Sequence, residues 1–136
     1  VIVVDTSAVV AIFRQESDAA SYAQRIADDD QPLMSAANIV ETSLVLRGLK
    51  RITSEQAERW LDEFLVAAGI RIEQVTTEHV QLARRAHIQF GKGTGHPANL
   101  NFGDCFAYAL ARAASEALLF KGDDFSQTDV IAALPR

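Results

Sequence analysis

Residues 1–13 read VIVVDTSAVVAIF. The run Val1–Val4 is β-branched throughout and shows no apolar/polar alternation, the pattern of a strand buried on both faces in a parallel sheet. Asp5 breaks the run, and two small hydroxyl residues, Thr6 and Ser7, follow at once. A carboxylate there has two readings. It caps a following helix or turn, or it is a metal ligand at the mouth of a sheet, because open parallel sheets bind ligands beyond the carboxyl ends of their strands.

Similar short apolar pieces recur at Leu33–Met34, Ile70–Val75 (mixed) and Ala117–Phe120. The segments between them carry helical spacing. Asp18–Ala27 sets Ala19, Tyr22, Ala23 and Ile26 on one face, and Ala37–Leu49 sets Val40, Leu44 and Val45 together. Thr53 and Gln56 have capping-box spacing before the apolar stripe Trp60, Leu61, Phe64 and Leu65. Thr77 reads as the cap of a helix through about Phe90, and Gly103–Ser115 as an alanine-rich helix. Strands alternating with helices predict an α/β domain with a parallel sheet and right-handed crossovers. The irregular stretch Gly91–Asp104, GKGTGHPANLNFGD, holds four of the seven glycines and reads as a mid-domain loop. Neither an internal repeat nor a domain linker is visible, so residues 1–136 are expected to form a single domain.

With 49% apolar residues the chain is expected to fold around its own core. No segment approaches ~20 consecutive apolar residues, so no membrane span is expected, and no basic region precedes the first apolar run as in a signal peptide. The single cysteine, Cys105, cannot pair internally, which points to a reducing cytoplasm. The net charge of −5 argues against a large basic nucleic-acid surface but leaves room for a local basic patch.

Acidic residues fall in telling places. Asp5 follows the first strand, and Asp123 and Asp124 follow the strand ending near Phe120. Asp104, in NFGDCFAYAL, opens an apolar helix, where a helix N-terminus alone would welcome it. Glu41, in AANIVETSLVL, lies among Ala37, Val40, Leu44 and Val45 and is expected on or beside the buried face of its helix. A buried carboxylate needs a partner. Arg47, six residues on, is on the wrong face, so a cation serves better. Several carboxylates at one end of a sheet repel one another, and Mg²⁺ or Mn²⁺ removes that repulsion. His79, His87 and His96 have no Cys or His at zinc-ligand spacing, with His87 expected on the helix surface or half-buried, and Cys105 reads as a small core residue. No phosphate-binding glycine motif is present.

VIVVDTSAVVAIF, the internal Glu of NIVETSLVL, NFGDCFAYALA and LLFKGDDFSQTDV stand in that order. Together they resemble PIN-domain ribonucleases, specifically VapC-type toxins of bacterial toxin–antitoxin pairs, from the first residues to about Val130. The resemblance implies a three-layer α/β/α sandwich with a mostly parallel central sheet. It implies an acidic metal site of Asp5, Glu41 and Asp104, with a fourth acid from KGDDF. An Asp directly before the Phe favours Asp124, and Asp123 stays beside it. Ser7 matches the hydroxyl that supports the first Asp or a metal-bound water. The resemblance further implies a Mg²⁺-dependent endoribonuclease (Mn²⁺ able to substitute), homodimerisation, and inhibition by a VapB-type antitoxin in a heterotetramer or larger assembly.

On this reading Asp5 and Asp104 bind the principal metal, and Glu41 with the KGDDF acids holds a second metal or waters, or assists proton transfer. Arg84, Arg85 and Lys92 are candidates for the RNA backbone, against the alternative of a solvated helix face. Tyr22, Ile26, Leu44 and Trp60 are expected either to line an antitoxin groove or to be core. An aspartyl phosphatase of the haloacid-dehalogenase type would want a second Asp where Ser7 stands. A non-catalytic RNA- or protein-binding member of the fold is the alternative to an enzyme.

Overall fold

A computed structural model describes residues 1–135 of the chain. Four parallel strands, β1 (Ile2–Val4), β2 (Pro32–Ser35), β3 (Arg71–Glu73) and β4 (Ala117–Leu119), lie in the order β3-β2-β1-β4. Val3 stands between Leu33 and Leu118 in the register. The pleat explains why β1 does not alternate. Val3, Leu33 and Leu118 enter one apolar cluster, while Ile2, Val4, Met34 and Leu119 enter the other. Ile2, Val3 and Val4 are each 0% exposed, and full burial of such a side chain contributes roughly 1.5–3 kcal/mol.

Six helices cover the two faces. Helices α1 (Thr6–Phe13), α2 (Ala19–Ala27), α3 (Ala36–Arg47) and α4 (Ser54–Ala67) supply one cluster, through residues such as Val9, Ile26, Leu46 and Leu61. Helices α5 (Thr77–Phe90) and α6 (Phe102–Ala114) supply the other, through Ala86, Phe90, Ala107 and Leu110. The result is the three-layer α/β/α arrangement. Helix α3 also packs against α6, which brings the two helical layers together beyond the sheet. The free edge of β4 is covered by the C-terminal segment, since Leu118 N–H donates to the Ile131 carbonyl at 2.8 Å and Ala133 N–H to the Leu118 carbonyl at 2.9 Å.

From β1 the chain moves outward through β2 to β3, then returns to the other side of β1 as β4. The strand order therefore reverses at β1, the kind of switch point beyond whose strand ends open α/β sheets bind ligands. The Asp5 N–H donates to the Leu119 carbonyl at 2.9 Å, which fixes the exit of one strand against the end of the other.

Several local expectations are corrected. Thr76, not Thr77, caps α5, its hydroxyl accepting from His79 N–H at 3.1 Å. Ile70–Val75 yields only the short edge strand β3, although Ile70 is buried in the core. The glycine-rich loop ends at Asn101, because Phe102 and Gly103 already belong to α6. That loop is closed by Lys92 N–H to the Leu100 carbonyl (2.8 Å) and Leu100 N–H to the Phe90 carbonyl (3.0 Å). The largest correction concerns α3. Its buried residues are Asn38, Thr42 and Leu46, while Val40 and Leu44 are 60% and 58% exposed. The apolar stripe chosen from sequence faces outward. Of the four residues suggested for a groove, Tyr22 and Ile26 are core, Trp60 is half-buried between Phe13 and Phe64, and only Leu44 is exposed.

Candidate active site

Asp5 fulfils the first of the two readings that the sequence allowed. It is the N-cap of α1, its Oδ2 accepting from Ser7 N–H at 2.9 Å. Its Oδ1 is buried and has no hydrogen-bond partner among the described residues, and the residue is only 2% exposed. Burial is the main reason that its carboxyl is pushed up to about 6; the charge of Glu41 raises it further, and bonds from Ser7 oppose the shift. The Ser7 hydroxyl in turn accepts from Lys121 N–H at 2.9 Å, tying the support of Asp5 to the turn after β4. The Lys121 ammonium holds that turn to the α1–α2 connection through Glu16 (2.6 Å) and Asp18 (3.0 Å).

Asp104 also has a capping role. It is the third residue of α6 and completes a capping box with Asn101: Asp104 N–H donates to Asn101 Oδ1 at 2.9 Å, and Asn101 N–H donates to Asp104 Oδ2 at 3.0 Å. Burial, then the charge of Asp5, then those of Glu41 and Asp124, push its carboxyl up to about 7, against the hydrogen bond from Asn101. The charges that move it most are thus all negative.

Glu41 is half-buried and faces the start of α6. Its Oε1 accepts from Asn38 Nδ2 at 3.1 Å. The carboxylate lies so close to Gly103 that any Cβ there would overlap it. Arg47 is not its partner. It pairs with Glu58 at 3.4 Å and donates to Ser43 Oγ at 3.2 Å. Glu41 thus lies against the start of α6 although Val40 and Leu44, the apolar residues that surround it in the sequence, are exposed.

Asp123 and Asp124 are both exposed in the turn after β4, where Asp124 precedes the 3₁₀ turn Phe125–Gln127 and adds to the repulsion at Asp104. Arg84, Arg85 and Lys92 are exposed, and among the described residues none has an ion-pair partner. Arg84 borders an apolar cavity of about 460 Å³ between α5 and α6, the helix that carries Asp104. Cys105 is buried, as expected of a small core residue, and His87 is exposed on α5.

Two residues here were not read from the sequence. Asn38 is fully buried and sits one helical turn before Glu41, a spacing that puts both on one side of α3. Gly103 was counted among the loop glycines. It is not among the glycines with positive φ, so the space taken by Glu41, and not backbone conformation, explains it.

Among the described residues, no three Asp, Glu, His or Cys side chains converge as a ready-made metal cage. The fit to a cation rests on the buried, unpartnered Asp5 Oδ1 and on acids that destabilise one another's charges. Such a set of oxygen donors, without His or Cys, suits a hard divalent ion.

The PIN domain family model matches residues 2–131. Ribonuclease VapC28 of Mycobacterium tuberculosis is 47% identical over 134 residues, covering 98% of this chain and 98% of that protein. The crystal structure of M. tuberculosis VapC20, a sarcin–ricin loop cleaving toxin, matches with a TM-score of 0.76 at 19% identity, covering 99% of this chain and 100% of that one. A toxin–antitoxin complex from Klebsiella pneumoniae matches with a TM-score of 0.71 at 14% identity, covering 98% of both chains. At these identities the solved structures speak for the fold. The chain belongs to the PIN domain family, and within it to the VapC group.

Proposed function

We propose that this chain is the toxin of a type II toxin–antitoxin pair and a Mg²⁺-dependent endoribonuclease, with Mn²⁺ able to substitute. The observation that carries the chemistry is Asp5 Oδ1, a buried carboxylate oxygen without a donor among the described residues, beside acids whose charges raise one another's carboxyls. Asp5 and Asp104 are the principal ligands, and Glu41 stands beside them as a further carboxylate of the same cation site. When bound, a divalent cation would polarise a water molecule and relieve charge on the scissile phosphate.

The chain's own residues do the rest. Asp5 and Asp104 are delivered by the end of β1 and the first turn of α6, elements whose ends are held by Leu119 and Asn101. Ser7 keeps Asp5 in its ionised orientation through its N–H and hydroxyl. Glu41, half open to solvent, orients the attacking water and accepts its proton. Asp124 completes the acidic rim, with Asp123 beside it. Arg84, Arg85 and Lys92, free of ion-pair partners among the described residues, hold the RNA phosphates on either side of the cut.

Two partners follow from the same reading. The full-length similarity to VapC proteins supports a VapB-type antitoxin, and the apolar residues Val40 and Leu44 on the outside of α3 suit burial against protein. A homodimer is expected, carried into a larger assembly by the antitoxin.

Purified protein should cut RNA with Mg²⁺ or Mn²⁺, stop in EDTA, and recover when Mn²⁺ is restored. Binding of RNA without cleavage under all three conditions would make the chain a binder instead of an enzyme.

A further inference from the structure

Asn38 has no role in the chemistry so far, yet it is among the most buried polar residues of the chain, at 0% exposure. Its Nδ2 donates to Glu41 Oε1 at 3.1 Å and to the Gly103 carbonyl at 2.9 Å, so one amide group spans α3 and α6. Both partners are acceptors. A flipped amide would set oxygen against oxygen at both contacts, which fixes the orientation. That orientation leaves Asn38 Oδ1 buried without a donor among the described residues. A purely space-filling residue would not carry this penalty, because an apolar side chain of similar size leaves no acceptor unsatisfied.

The side chain is also separable from the packing around it. The buried hydroxyls of Thr6 and Thr42 both donate to the backbone carbonyl of Asn38, at 3.2 and 2.7 Å. That link between α1 and α3 therefore survives a change of side chain. Across from Asn38, Gly103 provides the second half of a clamp. Its missing Cβ is the space that the Glu41 carboxylate occupies.

We propose that Asn38 is a positioning residue: its amide clamps the Glu41 carboxylate against Gly103 at the start of α6 and so sets where the third acid of the site stands. The inference rests on the reading of Asp5, Glu41 and Asp104 as a divalent-cation site. Outer-shell groups that orient metal-binding carboxylates typically change metal affinity or activity by about 10–100-fold when removed.

The test uses two variants that break the clamp from opposite sides. Asn38→Leu removes the donor at similar volume. Gly103→Ala keeps the amide and drives the carboxylate off by adding the Cβ. For each, Mn²⁺ binding is measured by calorimetry without RNA, and cleavage is resolved into kcat and KM, with circular dichroism as a check on folding. Expected are Mn²⁺ affinity and kcat each about 10–100-fold lower, with KM for RNA little changed. A folded variant with wild-type Mn²⁺ affinity and wild-type kcat overturns the proposal. Should Asn38→Leu fail to fold, Gly103→Ala carries the same test. If the wild-type protein itself binds no Mn²⁺, the cation reading fails separately. A crystal structure of the folded variant then decides the clamp: Glu41 turned away from the start of α6 supports it, and Glu41 unmoved overturns it.

Discussion

Replacing Asp5 by Asn should change the sign of its effect on stability between acid and alkaline pH. In metal-free protein the Asp5 carboxyl is pushed up to about 6, from 3.8 in the unfolded chain. Below 3.8 it is protonated in both states and costs nothing. Between those values the folded protein keeps a proton that the unfolded chain has lost, so stability falls as pH rises. Above about 6 the penalty is complete. At roughly 1.4 kcal/mol per pH decade it amounts to about 3 kcal/mol, most of it accruing between about pH 4 and pH 6.

Asn escapes that penalty and keeps the cap, since its carbonyl can still accept from Ser7 N–H. Its amide nitrogen, however, would stand where Oδ1 now lies buried without a partner, an unsatisfied donor worth about 1–3 kcal/mol against the variant at every pH. In EDTA at pH 8 the variant should therefore match the wild type or exceed it by up to about 2 kcal/mol. At pH 4 it should be the less stable of the two. Relief of Asp104, whose carboxyl is raised by the charge of Asp5, adds to the swing in the same direction. Urea unfolding at both pH values measures it. Saturating Mn²⁺ should then reverse the order at pH 8, because at a hundred times Kd a ligand adds about 2.7 kcal/mol to the protein that binds it. A stability difference independent of pH, together with equal Mn²⁺ stabilisation of both proteins, would refute the reasoning.

Three further outcomes are expected. Glu41→Gln should lower kcat by orders of magnitude in a cleavage assay and leave the melting temperature in EDTA unchanged or higher, because it removes one of the charges acting on Asp5 and Asp104. Ser7→Ala removes a bond that favours ionised Asp5, so the pH at which Mn²⁺ binding reaches half its maximum should move upward in a calorimetric series; an unmoved midpoint would deny Ser7 its supporting role. Converting Arg84, Arg85 and Lys92 to Ala should raise KM for RNA and flatten its salt dependence by about 0.7 in log–log slope per lost contact to single-stranded phosphate, while kcat holds; a fall in kcat alone would place these residues elsewhere in the mechanism.

The sheet was legible because β1 is buried on both faces and says so in four consecutive β-branched residues, and because its neighbours repeat the signal more briefly. Asp5 and Asp104 were legible because chain direction alone puts one at the carboxyl end of a strand and the other in the first turn of a helix. α3 was harder. Its outward face carries Val40, Leu44 and Val45, while its inward face carries Asn38 and Thr42, so hydrophobic spacing pointed away from the core. The inversion has a physical cause. The inward face meets α1 and the start of α6 through hydroxyl and amide hydrogen bonds, and the outward face is apolar yet exposed. Gly103 was invisible for a related reason, since a glycine required by a neighbouring carboxylate looks in sequence like any loop glycine.

The same double use recurs in Asp5 and Asp104. Asp5 caps α1 with one oxygen and leaves the other bare; Asp104 closes a capping box through Oδ2 while its charge is opposed by three neighbouring acids. A cap places its carboxylate at a fixed point relative to the backbone, whereas a free side chain would swing away from the repulsion. The capping bonds also offset part of the cost, since in each case hydrogen bonding works against burial and like charge. Local helix chemistry therefore holds charges together that would otherwise separate, and Asn38 extends the device to Glu41, which has no helix end of its own to cap. Sites that keep unfavourable charge in place are commonly less stable than the fold could be. Here that cost falls on residues at the ends of β1 and α6, next to the completely buried Ile2, Val3 and Val4 that can bear it.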